Sequence, residues 1–257
     1  MTIAGLRLVV DRYHKAFVVV ALCMLIASSA IISQLVTALP LKTHRSLERP
    51  MLAMEIPRSD REMYTLAPRA SLPIWRSILS WDFLFIAGYV LLFIALWLPD
   101  PAASADESRR RTEIRRSVIY SAIATGFADI SENVATLVSL SNIERYVKLA
   151  GSRAFTILPI VGTIKWLFFF MVCRALALQY RDLSARWYWI GAGLRALTTA
   201  GICATFLAFA GLPGRPVIAF VSTLSSVILL AAAVTRLLPE RAAPEALSAP
   251  DSATAVT

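Results

Sequence analysis

The sequence predicts an all-α integral membrane bundle of about six transmembrane helices, with both termini on the cytoplasmic side. Three observations carry that prediction. The chain is 57% hydrophobic and only 17% charged, where a soluble domain carries about 45–50% apolar and about 25% charged residues. Its mean hydropathy is +0.64. And apolar runs long enough to cross a bilayer core, which takes about 20 helical residues, recur along the 257 positions.

The first run, residues 16–39, follows Arg7, Arg12 and Lys15. A signal-peptide core is about 7–15 residues long, so this longer run is read as a retained first span. Residues 40–76 form a polar outer connector. Pro50, Pro57 and Pro68 exclude one continuous helix there, and a connector of this length suits a lid or binding loop with short interfacial helices. Trp75 and Trp81 read as an aromatic belt at the start of span two, residues 77–98. The S-x-x-E sequence at residues 104–107 is a capping box that starts a new helix. That helix runs through Arg109, Arg110, Arg111, Arg115 and Arg116 into span three, residues 117–140. Span four covers residues 155–178. Trp187, Tyr188 and Trp189 precede span five, residues 190–210, and a Gly- and Pro-rich turn leads to span six, residues 217–238. Residues 1–238 therefore read as one transmembrane domain. Residues 239–257, rich in Ala, Pro and Ser, read as a disordered cytoplasmic tail.

Orientation follows from basic residues in loops. Arg7, Arg12, Lys15, the five arginines at 109–116, Arg181, Arg186, Arg236 and Arg241 fall on one side, and that side is expected to be cytoplasmic. The net charge of +9 is accordingly assigned to loops that meet anionic lipid, with Arg109, Arg110, Arg111, Arg115 and Arg116 as the headgroup candidates. Nucleic acid is not an expected partner, because a basic chain binds it through a soluble basic face. The three cysteines and two histidines form no zinc or disulfide pattern, so no metal and no cofactor are expected.

The chemistry lies inside the spans. Asp129, Glu132 and Asn133 share one face of span three at 3.6 residues per turn, and Thr125, Gly126 and Thr136 extend that stripe. Lys165 sits mid-depth in span four behind Pro159 and Gly162, and Asp82 lies early in span two. A charge at a helix centre costs about 2.5–3.5 kcal/mol by insertion scales, so Asp129, Glu132 and Lys165 together would cost roughly 8–10 kcal/mol if left alone. They are expected to face inward, with Lys165 paired to Asp129 or Glu132 and Asn133 completing the hydrogen bonds. One lysine cannot neutralise both acids, so one of the two is expected to hold a proton at neutral pH.

These residues also carry a resemblance. Asp82, then Asp129-Ile-Ser-Glu132-Asn133, then Lys165-Trp166 resemble a group of small, uncharacterised bacterial multi-pass membrane proteins that share a D-x-x-E-N helix followed by a Lys-Trp helix. The resemblance covers spans two to four. It implies placement in a bacterial inner membrane and brings no activity with it.

Intramembrane ionisable residues are by default a functional site. Asp82, Asp129, Glu132, Asn133 and Lys165 are therefore read as binding or translocating a proton, a cation or a small polar ligand. An intramembrane enzyme acting on a lipid ranks second, since no nucleophile stands beside a base and no Walker, G-x-S-x-G or H-E-x-x-H motif occurs. A structural or assembly subunit, its polar cluster serving only to lock helix packing, is the third reading.

Overall fold

A computed structural model describes residues 3–39, 50–57, 59–96, 105–145, 153–181 and 185–237. Every regular element among them is helical: α1 (Ile3–Thr37), α2 (Pro50–Glu55), α3 (Asp60–Leu66), a 3-10 turn (Arg69–Ser71), α4 (Leu72–Ala95), α5 (Ala105–Arg145), α6 (Arg153–Arg181), α7 (Ala185–Phe209) and α8 (Arg215–Leu237). The expected tail at 239–257 lies outside the described residues. So do the side chains of Arg109, Arg110, Arg111 and Arg115, whose backbone belongs to α5; Arg116 is exposed.

Among the described residues, five stretches are long and apolar enough to cross a membrane: Lys15–Thr37, Arg69–Ala95, Ile157–Leu178, Tyr188–Phe209 and Arg215–Val234. The expected third span is not among them. α5 has ample length, but Asp129, Glu132 and Asn133 in its middle dilute its apolar content. The second span also starts earlier than expected, at Leu72 rather than near residue 77. Pro73 sits in the first turn of α4, where its missing N–H takes no hydrogen bond away. Trp75 is fully buried and donates its indole N–H to the Leu66 carbonyl at 2.7 Å, so it is a core residue and no interfacial belt.

The long helices pack in chain order, α1 on α4, α4 on α5, α5 on α6, α6 on α7 and α7 on α8, and α8 returns to touch α1. Their outward faces are apolar, with Ile26, Phe127, Phe206 and Phe220 among the most exposed side chains. Exposed aromatic and aliphatic surface of this kind suits lipid better than water.

The interior is layered. One apolar cluster joins Val18, Tyr89, Phe93, Leu96, Val118, Cys173 and Leu176. A second joins Met63, Leu66, Trp75, Ile78, Leu140 and Leu158. Asp82 falls between these layers on α4, residues 129–133 fall between them on α5, and Lys165 falls between them on α6. The polar residues thus form a middle tier, closed by apolar packing on either side.

The connector is not a surface loop. Leu52, Ala53, Met54, Ile56, Met63, Leu66 and Ala67 are all buried. Leu52 and Ile56 pack against Ala204 and Ala208 of α7 and Ile218 and Ala219 of α8. Ser59 caps α3, its side chain accepting from the Glu62 N–H at 3.2 Å.

Candidate functional site

α4, α5 and α6 each contribute to the middle tier because their polar residues recur at helical spacing. Close approach of α4 to α5 depends on Gly126, where a Cβ would come within 2.8 Å of a Val90 methyl. Asp129 and Glu132 are 3% and 2% exposed. Both face Lys165, whose ammonium lies 2.8 Å from Asp129 Oδ1 and 3.2 Å from Glu132 Oε2. Asn133 donates its amide N–H to Asp82 Oδ2 at 2.8 Å. All five residues singled out from the sequence, Asp82, Asp129, Glu132, Asn133 and Lys165, are therefore in one assembly of three neighbouring helices.

Three further residues complete it. Glu55, at the end of α2, places Oε1 3.0 Å from the Lys165 ammonium. Its Oε2 accepts the indole N–H of Trp166 at 3.0 Å. Tyr89 donates its hydroxyl to Asp129 Oδ2 at 2.7 Å. The Trp166 ring also lies beside the ammonium, 5.5 Å from centroid to Nζ, within cation–π range.

Signals for these three were present in the sequence. Tyr89 lies two turns from Asp82 on the same face of α4. Glu55 is an acid in the otherwise apolar run from Pro50 to Pro57. Trp166 adjoins Lys165. What the sequence could not supply was the fold of the connector, which brings Glu55 to a tryptophan 111 positions away.

The hydrogen bonds are distributed unevenly. Glu55 Oε2 has the indole N–H of Trp166, and its Oε1 has only the ammonium at ion-pair distance. Asp129 Oδ2 has the tyrosine hydroxyl, while Asp129 Oδ1 and Glu132 Oε2 are fully buried and receive no directed hydrogen bond. The ammonium is near both of those atoms but off their hydrogen-bonding directions, so its hold on them is Coulombic. Burial pushes the Glu55 carboxyl above its usual range, against the opposing pull of Lys165.

Below the cluster an aromatic series walls the tier. Phe85 meets Tyr89, Tyr89 meets Phe93, Phe93 meets Phe169, and Phe169 meets both Trp166 and Phe170. Along α5, Ser121, Thr125, Thr136 and Ser139 are buried above and below the acids. The hydroxyls of Thr125 and Ser139 return hydrogen bonds to carbonyls of their own helix.

A second ion pair stands on the connector. Arg215, first residue of α8, holds Glu62 with both terminal nitrogens, at 2.7 and 2.9 Å. It also donates to the Ile56 carbonyl. Among the described residues no group of three His, Cys, Asp or Glu side chains is arranged to hold a metal ion. Comparisons with protein families, curated proteins and solved structures gave no match to this chain.

Proposed function

We propose that this is a six-span membrane protein whose middle tier binds and releases a proton, with Glu132 as the carrier. One observation carries the reading. Three buried or nearly buried carboxylates, Glu55, Asp129 and Glu132, lie within 3.2 Å of one ammonium, and a fourth, Asp82, is bonded to Asn133 beside them. If all were ionised, the tier would hold several uncompensated negative charges away from water, which costs many kcal/mol. Protons are the smallest remedy. Glu55, Asp129 and Asp82 each accept one hydrogen bond from a neutral donor, Trp166, Tyr89 and Asn133 respectively, which suits those groups as acceptors. Glu132, held only by charge at the longest distance, is the acid best suited to carry a proton. Lys165 then serves as fixed counter-ion, and Tyr89 and Asn133 orient the neighbouring carboxylates.

In this reading α5 is the sixth span. Its charged stripe is sheltered by α4 and α6, which is where intramembrane charge is tolerated. The N-in/C-in orientation rests on the basic loops, and the bacterial inner membrane on the D-x-x-E-N and Lys-Trp resemblance. Exposed Arg116 and its neighbours Arg109, Arg110, Arg111 and Arg115 are the proposed contacts for anionic lipid.

The test is proton flux in proteoliposomes under an imposed pH gradient. Glu132→Gln keeps the side-chain shape and removes the titration; it is expected to lower flux at least about tenfold, the effect of about 1.4 kcal/mol. Undiminished flux in that variant rules the reading out. A packing lock is the competing reading, favoured by the Tyr89–Asp129 and Asn133–Asp82 bonds, which tie α4 to α5. It expects no flux in either protein.

A further inference from the structure

Glu55 differs from the other acids of the tier in how it is held. Asp82, Asp129 and Glu132 project from long helices fixed on two sides. Glu55 ends a six-residue helix, α2, which meets α3, α5, α6, α7 and α8 over a short length. Its carbonyl lies so near Gly162 that a Cβ there would come within 2.6 Å of it. The α2 segment therefore sits in a socket on α6 shaped by the lack of a side chain.

The socket has two fastenings. At the inner end the Glu55 carboxylate takes Lys165 and Trp166. At the outer end Arg215 grips Glu62 and the Ile56 carbonyl. Arg215 occupies the positive end of the α8 dipole, an unfavourable place for a cation. That position is compensated by the carboxylate it holds, and the carboxylate is on the connector. The pair thus couples the start of α8 to the segment that carries Glu55.

We propose that residues 50–67 are a re-entrant plug, that Glu55 is its removable ligand for Lys165, and that the Arg215–Glu62 pair is its latch. This rests on the proton reading of the tier and adds the route of access to it. Lys165 keeps Asp129 and Glu132 as partners when Glu55 withdraws, so the departure leaves no unpaired ammonium. The apolar layer built on Phe93 and Leu96 closes the tier from the far side. Withdrawal of the plug opens it toward the face from which the connector enters.

The experiment combines labelling with flux. Cys23, Cys173 and Cys203 are replaced by alanine, and Leu52→Cys reports on the plug, since Leu52 is buried against α7 and α8. A membrane-impermeant maleimide is then applied in proteoliposomes. Arg215→Gln and Glu62→Gln are expected to speed labelling about tenfold, the effect of about 1.4 kcal/mol on the opening equilibrium. Labelling is expected to stop proton flux, because the modified plug cannot return Glu55 to its seat. Labelling rates unmoved by either latch variant, or flux that survives complete labelling, overturn the proposal. If the latch variants fail to fold, amide exchange of the unsubstituted protein decides: residues 50–57 should exchange well ahead of α4 and α5, and equal protection counts against a plug. The two readings separate cleanly. Glu132→Gln that retains flux ends the proton reading and leaves the labelling result intact, whereas an immobile plug leaves the flux test intact.

Discussion

At the residue scale, the tier is a problem of charge in a dry place, and its solution is to let several acids share one base. Lys165 has three N–H bonds and lies within 3.2 Å of three carboxylates, but only Glu55 also has a neutral donor on its second oxygen from the same helix as the lysine, through Trp166. Glu55 faces Lys165 and Trp166 on α6, Asp129 and Glu132 on α5, and more distantly Asp82 on α4. Burial raises its pKa above the unfolded value. The folded protein therefore holds that proton more tightly than the unfolded chain does. The resulting stability is complete below the usual carboxylate range and is lost as pH rises through the folded value. Thermal unfolding in detergent should show a decline in Tm with rising pH that is shallower in Glu55→Gln; identical slopes would remove Glu55 from the titration. A pairing of Lys165 with Asp129 or Glu132 was legible from the sequence, because cost alone requires buried charges to meet, and the ammonium meets both. The choice of a third acid was not, because a connector residue has no helical period that shows its direction.

At the element scale, α5 shows how a buried polar stripe works against local signals. Its N-terminal part is arginine-rich and its centre acidic, and these features keep it out of the set of helices that qualify as spans by composition. Helical period in the sequence located its polar stripe, and hydropathy leaves it outside the spans. The reason is that its polar stripe is buried against α4 and α6, a tertiary fact. We expect α5 alone to insert poorly in a glycosylation-reporter insertion assay. Replacing Glu132 by leucine should improve insertion by about 2.5–3.5 kcal/mol, the usual charge at a helix centre. No improvement would mean that α5 crosses only with its neighbours already in place or does not cross. The connector teaches the reverse lesson. Prolines 50, 57 and 68 correctly excluded a long helix, yet its charged residues concealed a buried apolar face made by Leu52, Met54, Ile56, Met63 and Leu66. A composition average over 40–76 hides that face, because the arginines between the apolar residues dominate it.

At the scale of the whole molecule, the helices follow one another around the bundle and the polar tier lies between two apolar layers. Neutralising only Asp129, Glu132 and Lys165 would leave Glu55 buried without its ammonium. The proper comparison is a fourfold variant, Glu55→Gln, Asp129→Asn, Glu132→Gln and Lys165→Met. Exchange of a complete buried ionic group for neutral residues is often neutral or stabilising by about 1–4 kcal/mol. We expect the fourfold variant to melt at or above the temperature of the unsubstituted protein, and the single Lys165→Met to melt well below it. A fourfold variant that fails to fold would assign the cluster to helix packing. The layered order itself could be anticipated only in part. Helical spacing placed the acids on one stripe, but the two apolar layers are assembled from residues far apart in sequence, and no local pattern records their height.

The height of the tier has an electrical consequence. Asp82 lies at the centre of the Arg69–Ala95 stretch, and Lys165 near the centre of Ile157–Leu178. On the proposed proton reading, a proton that travels from one membrane face to Glu132 at that level would cross about half of the transmembrane potential, an energy of about 1.2 kcal/mol per 100 mV. Occupancy of the tier would then depend on voltage as well as on pH, by the equivalent of nearly one pH unit for each 100 mV.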